Sequence, residues 1–188
     1  MIRTLRHRLA ALTWRRRLGQ LRLLVLDVDG VLTDGGLWTT ESGEVLKRFD
    51  VRDGLGIHLL QRAGLEVAFL SGGKSGATEQ RARYLGIRHV LTGVKDKPAA
   101  LQALQQSLGV SVAESAFVGD DLNDLAVRPA VGLLVCPADA VRPLRRRADW
   151  VLDRCGGDGA VRRLADAILQ ARSAWAPLAR HGWRDRND

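Results

Sequence analysis

Two acids close a short apolar run near the start of the chain, where Leu23-Leu24-Val25-Leu26 leads into Asp27-Val28-Asp29-Gly30. Carboxylates held about 4 Å apart repel by roughly 4 kcal/mol at an effective dielectric of about 20. A shared proton, a basic side chain or a metal ion must offset that repulsion. An EF-hand loop does not fit, because it needs a preceding helix and a glycine at its sixth position, and Gly30 is fourth after a strand-like run. Standing alone, the segment could equally be a solvated Asp-rich turn.

It does not stand alone. A second apolar run, Ser115-Ala116-Phe117-Val118, also ends in acids, Gly119-Asp120-Asp121-Leu122-Asn123-Asp124. Asp120 and Asp124 are one helical turn apart, so a helix starting here would face both the same way. A third run, Glu66-Val67-Ala68-Phe69-Leu70, ends in Ser71-Gly72-Gly73-Lys74-Ser75-Gly76. A strand, a glycine turn and a helix in that order offer backbone N–H groups to a phosphate. A nucleotide-binding P-loop does not fit, since the glycine required five residues before Gly73 is Ala68. Lys97, beside Pro98 at the start of a helix, opposes the helix dipole and is better placed near an anion.

These residues need a scaffold that gathers strand ends. Apolar runs without alternation read as strands buried on both faces, and helical patterns separate them, so a mostly parallel sheet flanked by helices is expected. Right-handed crossovers then leave the carboxyl ends of the strands on one edge, where open α/β sheets bind ligands. That edge would collect Asp27, Asp29, Ser71, Lys97, Asp120 and Asp124. Residues 36–40 and 45–49, around the turn Glu41-Ser42-Gly43-Glu44, read as a β-hairpin placed to lean over this edge as a flap. Asp50 to Gly54 reads as a polar loop before a helix that stops at Gly64. Further strands are expected near residues 88–91, 131–135 and 150–152. A short basic helix is expected over 140–147, and a terminal helix carrying Val161, Leu164, Ala165, Ile168 and Leu169.

The formal charge of +8 suggests nucleic acid until it is located. Residues 1–22 hold seven arginines and no acid, +7, which leaves +1 for residues 23–188. We therefore divide the chain into a basic arm (1–20), one α/β domain (21–170) and a polar tail (171–188) carrying Trp175 and Trp183. Ile2, Leu5, Leu9 and Leu12 at helical spacing would let the arm touch an anionic membrane surface or RNA. A loose, soluble leader is favoured over either. No apolar run reaches secretory or membrane-spanning length, so a cytoplasmic protein is expected. Cys136 and Cys155 lack metal-ligand spacing and read as thiols in a reducing compartment.

Oxygen ligands from two strand ends suit Mg²⁺, which binds one or two carboxylates together with a substrate phosphate. Zinc is disfavoured, since no His or Cys set has ligand spacing. With Ser71 and Lys97 converging, the natural guest is a phosphoryl group attacked in line.

At this point a family resemblance enters. Asp27-Val28-Asp29-Gly30-Val31-Leu32-Thr33, Ser71-Gly72, Lys97 and Gly119-Asp120-Asp121 resemble the four ordered motifs of haloacid dehalogenase-type phosphatases. Residues 29–36, 49–57, 85–87, 119–124 and 156–162 are similar to the small capless branch, the 3-deoxy-D-manno-octulosonate 8-phosphate phosphatases. The resemblance covers residues 22–170 and implies a Rossmann-like fold with a hairpin flap and no cap domain. It implies that Asp27 is the nucleophile and Asp29 the acid and base. It further implies that Asp27, the Asp29 carbonyl and Asp120 hold Mg²⁺, with Asp121 and Asp124 behind them. Ser71, Gly72 and Lys97 would bind the phosphoryl group. Asp29, Asp50, Val51, Arg52, Asp53, Gly54, Arg81 and Lys97 would contact the sugar acid. It also implies a homotetramer and a place in lipopolysaccharide synthesis. An acylneuraminate 9-phosphate is the alternative substrate, and a nucleic-acid or membrane-surface protein using the arm is the alternative of another class. The chain departs from the family pattern at Gly73 and His58, where arginine is common, and at Arg163, where glutamate is usual. These departures bear on the sugar acid and leave the phosphatase chemistry intact.

Overall fold

The computed structural model describes residues 14–74 and 76–182. Its centre is a six-stranded, wholly parallel sheet in the order β5-β4-β1-β6-β7-β8. The strands are β1 (Leu23–Leu26), β4 (Glu66–Leu70), β5 (His89–Leu91), β6 (Ser115–Val118), β7 (Leu133–Cys136) and β8 (Trp150–Val151). Between β1 and β4, β2 (Trp38–Thr39) and β3 (Val45–Leu46) pair antiparallel as a separate hairpin. No cap domain occurs among the described residues.

Why these runs are strands follows from where their side chains go. Successive residues of a strand point to opposite faces, and both faces here are covered. Leu24, Leu26, Val67, Phe69, Ala116 and Val118 enter one apolar core, and Leu23, Val25, Ala68, Leu70 and Phe117 enter the other. The first core is closed by residues 14–20 (α1), α2 (Val51–Arg62), α3 (Gly76–Tyr84) and α6 (Ala160–Ala171). The second is closed by α4 (Lys97–Leu108), the 3₁₀ segment Leu122–Ala130 and α5 (Arg142–Arg147). Val161, Leu164, Ala165, Ile168 and Leu169 are all buried along α6, as their helical spacing requires. Gly56 of α2 admits this face closely, since a Cβ there would lie 3.1 Å from that of Ala165.

Register sets up the site. Leu26 of β1 pairs with Phe69 of β4 and with Val118 of β6, so these three central strands end at one level. The residues that follow them, Asp27, Ser71 and Asp120, therefore emerge on a common edge.

The structure corrects several sequence expectations. Val51 to Gly54 is the first turn of α2 rather than a loop, because Asp50 caps the helix by accepting from the Arg52 N–H. The segment after Asp121 is 3₁₀ rather than α-helical, with Asp121 and Asp124 forming its capping box. The hairpin strands shrink to two residues each, because Lys47 and Phe49 turn toward the body. The seventh strand begins at Leu133 rather than Val131, after Gly132 packs on the Ala113 backbone. Within the arm, Leu18 is fully buried and Trp14 packs on the core. The Ile2, Leu5, Leu9 and Leu12 spacing lies outside the described residues. Within the tail, α7 (Trp175–His181) packs Trp175 and Leu178 on the same core. Cys136 is buried and Cys155 exposed. No described helix is long and apolar enough to cross a membrane.

Candidate active site

β1 ends in a sharp turn. Val28 is fully buried and its carbonyl accepts from the N–H groups of Val31, Leu32 and Thr33. The turn throws Asp27 and Asp29 into one cleft with Gly30, Gly35, residues 71–73 and residues 120–123. Gly30 is required twice over: its φ is 76°, and an added Cβ would collide with the Asp120 carboxylate. The loop Gly156-Gly157 braces this turn from behind. The Gly157 N–H donates to the Val31 carbonyl at 3.1 Å, and a Cβ on Gly156 would run into the Gly30 carbonyl.

Lys97 and Asp124 do not line the cleft but lie behind it, joined to it through Asp27. The Lys97 side chain is buried, with Nζ 2.7 Å from Asp27 Oδ2 and 2.7 Å from Asp124 Oδ1. Asp27 Oδ1 accepts from the Val28 N–H at 2.7 Å, and Asp124 Oδ2 accepts from the Asp120 N–H at 2.9 Å. Asp27, Asp120 and Asp124 each bring an oxygen within 4.8 Å of the others. Three carboxylates and one ammonium leave negative charge unbalanced in a poorly solvated place. Burial, then repulsion from Asp124, pushes Asp27 up to about 6 despite Lys97. Burial, then repulsion from Asp27 and Asp124, pushes Asp120 up to about 7. Burial works against the Lys97 charge, but Asp27 and Asp124 outweigh it and the ammonium titrates above its usual range. An oxygen-rich site with surplus negative charge fits a hard divalent cation such as Mg²⁺.

Ser71 is buried at the end of β4, and its Oγ accepts from the Gly73 N–H at 3.2 Å. The loop is tied to the next one, since the Val94 N–H donates to the Ser71 carbonyl and the Gly93 N–H to that of Gly73. Ser71 and Gly72 thus line the same cleft as the acids.

The residues expected to touch the sugar acid behave differently. Asp50, Val51, Arg52, Asp53, Gly54 and Arg81 do not line this cleft. Arg52 Nη2 lies 2.6 Å from Asp50 Oδ2 and 2.6 Å from Asp158 Oδ1. The hydrogen bonds from Arg52 hold the Asp50 carboxyl below the usual range. Asp53 is buried and accepts from the Arg162 N–H at 2.7 Å, which caps α6 from another element. Burial pushes it up to about 6. Arg81 donates to the Asp50 carbonyl at 3.2 Å and packs over the Phe49 ring. Val51 is exposed. Asp121 caps its own 3₁₀ turn by accepting from the Leu122 N–H at 2.6 Å, at the cleft rim.

Lys47 was missed by sequence reasoning. Its Nζ lies 2.7 Å from Asp29 Oδ1 and donates to Asp29 Oδ2 at 2.9 Å. The sequence carries no alternation here, since Val45-Leu46 and Lys47-Arg48 are an apolar and a charged pair; the fold turns Val45, Lys47 and Phe49 inward and leaves Leu46 and Arg48 exposed. A lysine on the inner face of a hairpin is a lysine with a partner.

Residues 49–132 match the haloacid dehalogenase-like hydrolase family. The chain is 45% identical over 151 residues, 80% of each chain, to the 3-deoxy-D-manno-octulosonate 8-phosphate phosphatase KdsC of Escherichia coli. The crystal structure of the Yersinia pestis phosphatase of that name superposes with a TM-score of 0.84 at 41% identity, covering 86% of this chain and 87% of that one. The Moraxella catarrhalis phosphatase, solved with magnesium, phosphate and the sugar acid KDO, superposes at 0.86 with 32% identity over 89% and 97%. The chain belongs to the 3-deoxy-D-manno-octulosonate 8-phosphate phosphatase family of haloacid dehalogenase-like hydrolases, a family of phosphoric monoester hydrolases on a capless Rossmann-like fold.

Proposed function

We propose that the chain hydrolyses the phosphate monoester of an eight-carbon sugar acid, 3-deoxy-D-manno-octulosonate 8-phosphate, in two steps through an aspartyl-phosphate on Asp27. The observation that carries this reading is the cluster at the ends of β1, β4 and β6: Asp27 on Lys97, Ser71 opposite, and Asp29 two residues on. Asp27 attacks phosphorus while the Val28 N–H and Lys97 fix its carboxylate. Asp29 protonates the departing sugar oxygen, then takes a proton from the water that cleaves the intermediate. Ser71, the Gly72 backbone and Lys97 hold the transferring phosphoryl oxygens.

Asp27, Asp120 and the Asp29 carbonyl would hold Mg²⁺, with Asp124 and Asp121 supporting it or its waters. When bound, the ion neutralises charge building on the phosphoryl oxygens. Asp124 accepts from the Asp120 N–H and from Lys97, so it orients two members of the site at once. The segment from Asp50 to Gly54, with Arg81, contributes the sugar-acid contacts on this reading. A homotetramer, a cytoplasmic location and a role in lipopolysaccharide synthesis complete it.

Phosphate release from a panel of sugar phosphates with Mg²⁺ tests the proposal. The octulosonate ester is expected to give the highest kcat/KM, above acylneuraminate 9-phosphate and simple hexose phosphates. Equal turnover of all of them would overturn the assigned substrate.

A further inference from the structure

Lys47 makes the least economical contact in the molecule outside the Lys97 cluster. It sits one residue past β3, on a hairpin whose Leu37, Trp38 and Leu46 are exposed, yet its own side chain is only 2% exposed. Its ammonium reaches both oxygens of Asp29, at 2.7 and 2.9 Å, and donates to Thr78 Oγ1 at 3.2 Å. Thr78 is itself buried, in the first turn of α3, the helix that follows the Ser71 loop. Burying an ammonium against one carboxylate gives little net stability, and an apolar side chain of similar shape often serves the fold as well. The arrangement is therefore hard to assign to stability, and its geometry says what else it does.

Asp29 rides on a turn with its side chain 36% exposed. A carboxylate so placed has free rotation about χ1 and χ2 unless something grips it. An ammonium that donates to one oxygen and lies 2.7 Å from the other, which has no hydrogen bond of its own, restrains the turning of the carboxylate, and Thr78 restrains the ammonium. The grip runs from the hairpin through Nζ to the helix behind the phosphate loop, so it holds Asp29 in register with Ser71.

We propose that Lys47 is a positioning residue that aims the Asp29 carboxyl at the leaving oxygen, with Thr78 as its anchor. This rests on the reading of Asp29 as the acid for the departing sugar. Misaiming a general acid costs most where the leaving group needs a proton, and little where it departs as a stable anion. The parameter to compare is kcat/KM, which reports only through the departure of the alcohol and is blind to the later hydrolysis of the intermediate.

The experiment measures kcat/KM of wild type, Lys47→Met, Lys47→Arg and Thr78→Val on the sugar phosphate and on p-nitrophenyl phosphate, with melting temperatures alongside. Lys47→Met is expected to keep or raise the melting temperature, to lose about 100-fold on the sugar phosphate and to lose less than about 5-fold on the nitrophenyl ester. Lys47→Arg should recover much of the loss, and Thr78→Val should show the same selectivity at smaller size. Equal losses on both esters, or no loss on the sugar phosphate, would overturn the positioning role. If Lys47→Met does not fold, the Thr78→Val and Lys47→Arg selectivities decide the matter in the same way. Wild-type protein that cleaves neither ester overturns the phosphatase reading itself, a result recognisable before any variant is made.

Discussion

The molecule contains two clusters of acids, and they are built in different ways. At the ends of β1 and β6, Asp27 and Asp124 share one lysine, and Asp120 beside them adds negative charge that the lysine does not pair. At the start of α2, Asp50 and Asp158 share Arg52, and Asp53 is spent on the N-terminus of α6. Asp53 meets that helix end through Oδ1, while its Oδ2 is buried without a hydrogen bond. The first cluster draws three carboxylate oxygens together within 4.8 Å, a donor set that fits a cation. Each cluster has three acids and one cationic side chain in contact, so counting charges does not separate them, whereas the convergence of carboxylate oxygens does.

The largest effect expected from this contrast is on turnover. Asp27→Asn should reduce kcat at least about 10⁴-fold, with circular dichroism and melting temperature undiminished. Substantial residual activity would remove Asp27 from its role and with it the functional half of the comparison.

The next test falls on the structural cluster. Asp53 is raised in the folded state to about 6 from 3.8. The native protein therefore holds a proton there that the unfolded chain releases, and the stability tied to that proton is present below about pH 4 and lost as pH rises through about 6. At 1.36 kcal/mol per unit, the loss approaches roughly 3 kcal/mol by pH 8. Asp53→Asn, which keeps an acceptor for the Arg162 N–H, should abolish that part of the slope in urea titrations from pH 4 to 8. An unchanged slope would show that the buried carboxylate is solvated or paired in a way the cap does not require.

A smaller effect separates the clusters most cleanly. Mg²⁺ at a hundredfold excess over its dissociation constant should stabilise the native protein by about 2.7 kcal/mol. Asp120→Asn should lose most of that gain, whereas Asp158→Asn should keep it. Equal losses would mean that the cation is not confined to the first cluster.

Much of this was legible in the sequence, for identifiable reasons. Strands buried on both faces write themselves as contiguous apolar runs, and β1, β4 and β6 end within a residue of where those runs end. Their chemistry follows at once in sequence, so Asp27, Ser71 and Asp120 were found by adjacency alone. Asp53 was not readable in this way, because the N–H it caps lies 109 residues away. Trp175 and Leu178 read as polar tail because two apolar residues in a short helix give little pattern, and only tertiary contact shows them on the core. Lys47 was not readable either, because Leu46 and Arg48 beside it break the alternation that would mark an inner face.

The sheet order has one last consequence. β1 lies between β4 and β6 and is hydrogen-bonded along both sides, whereas Lys47 extends from a ribbon of two-residue strands. Fraying at either rim of the sheet leaves these two ladders of hydrogen bonds in place, so Asp27 follows a strand guarded on both sides. Its neighbour two residues on is gripped by Lys47 from a hairpin that is no part of the main sheet. One acid of the pair is carried by the middle of the sheet and the other is held from outside it.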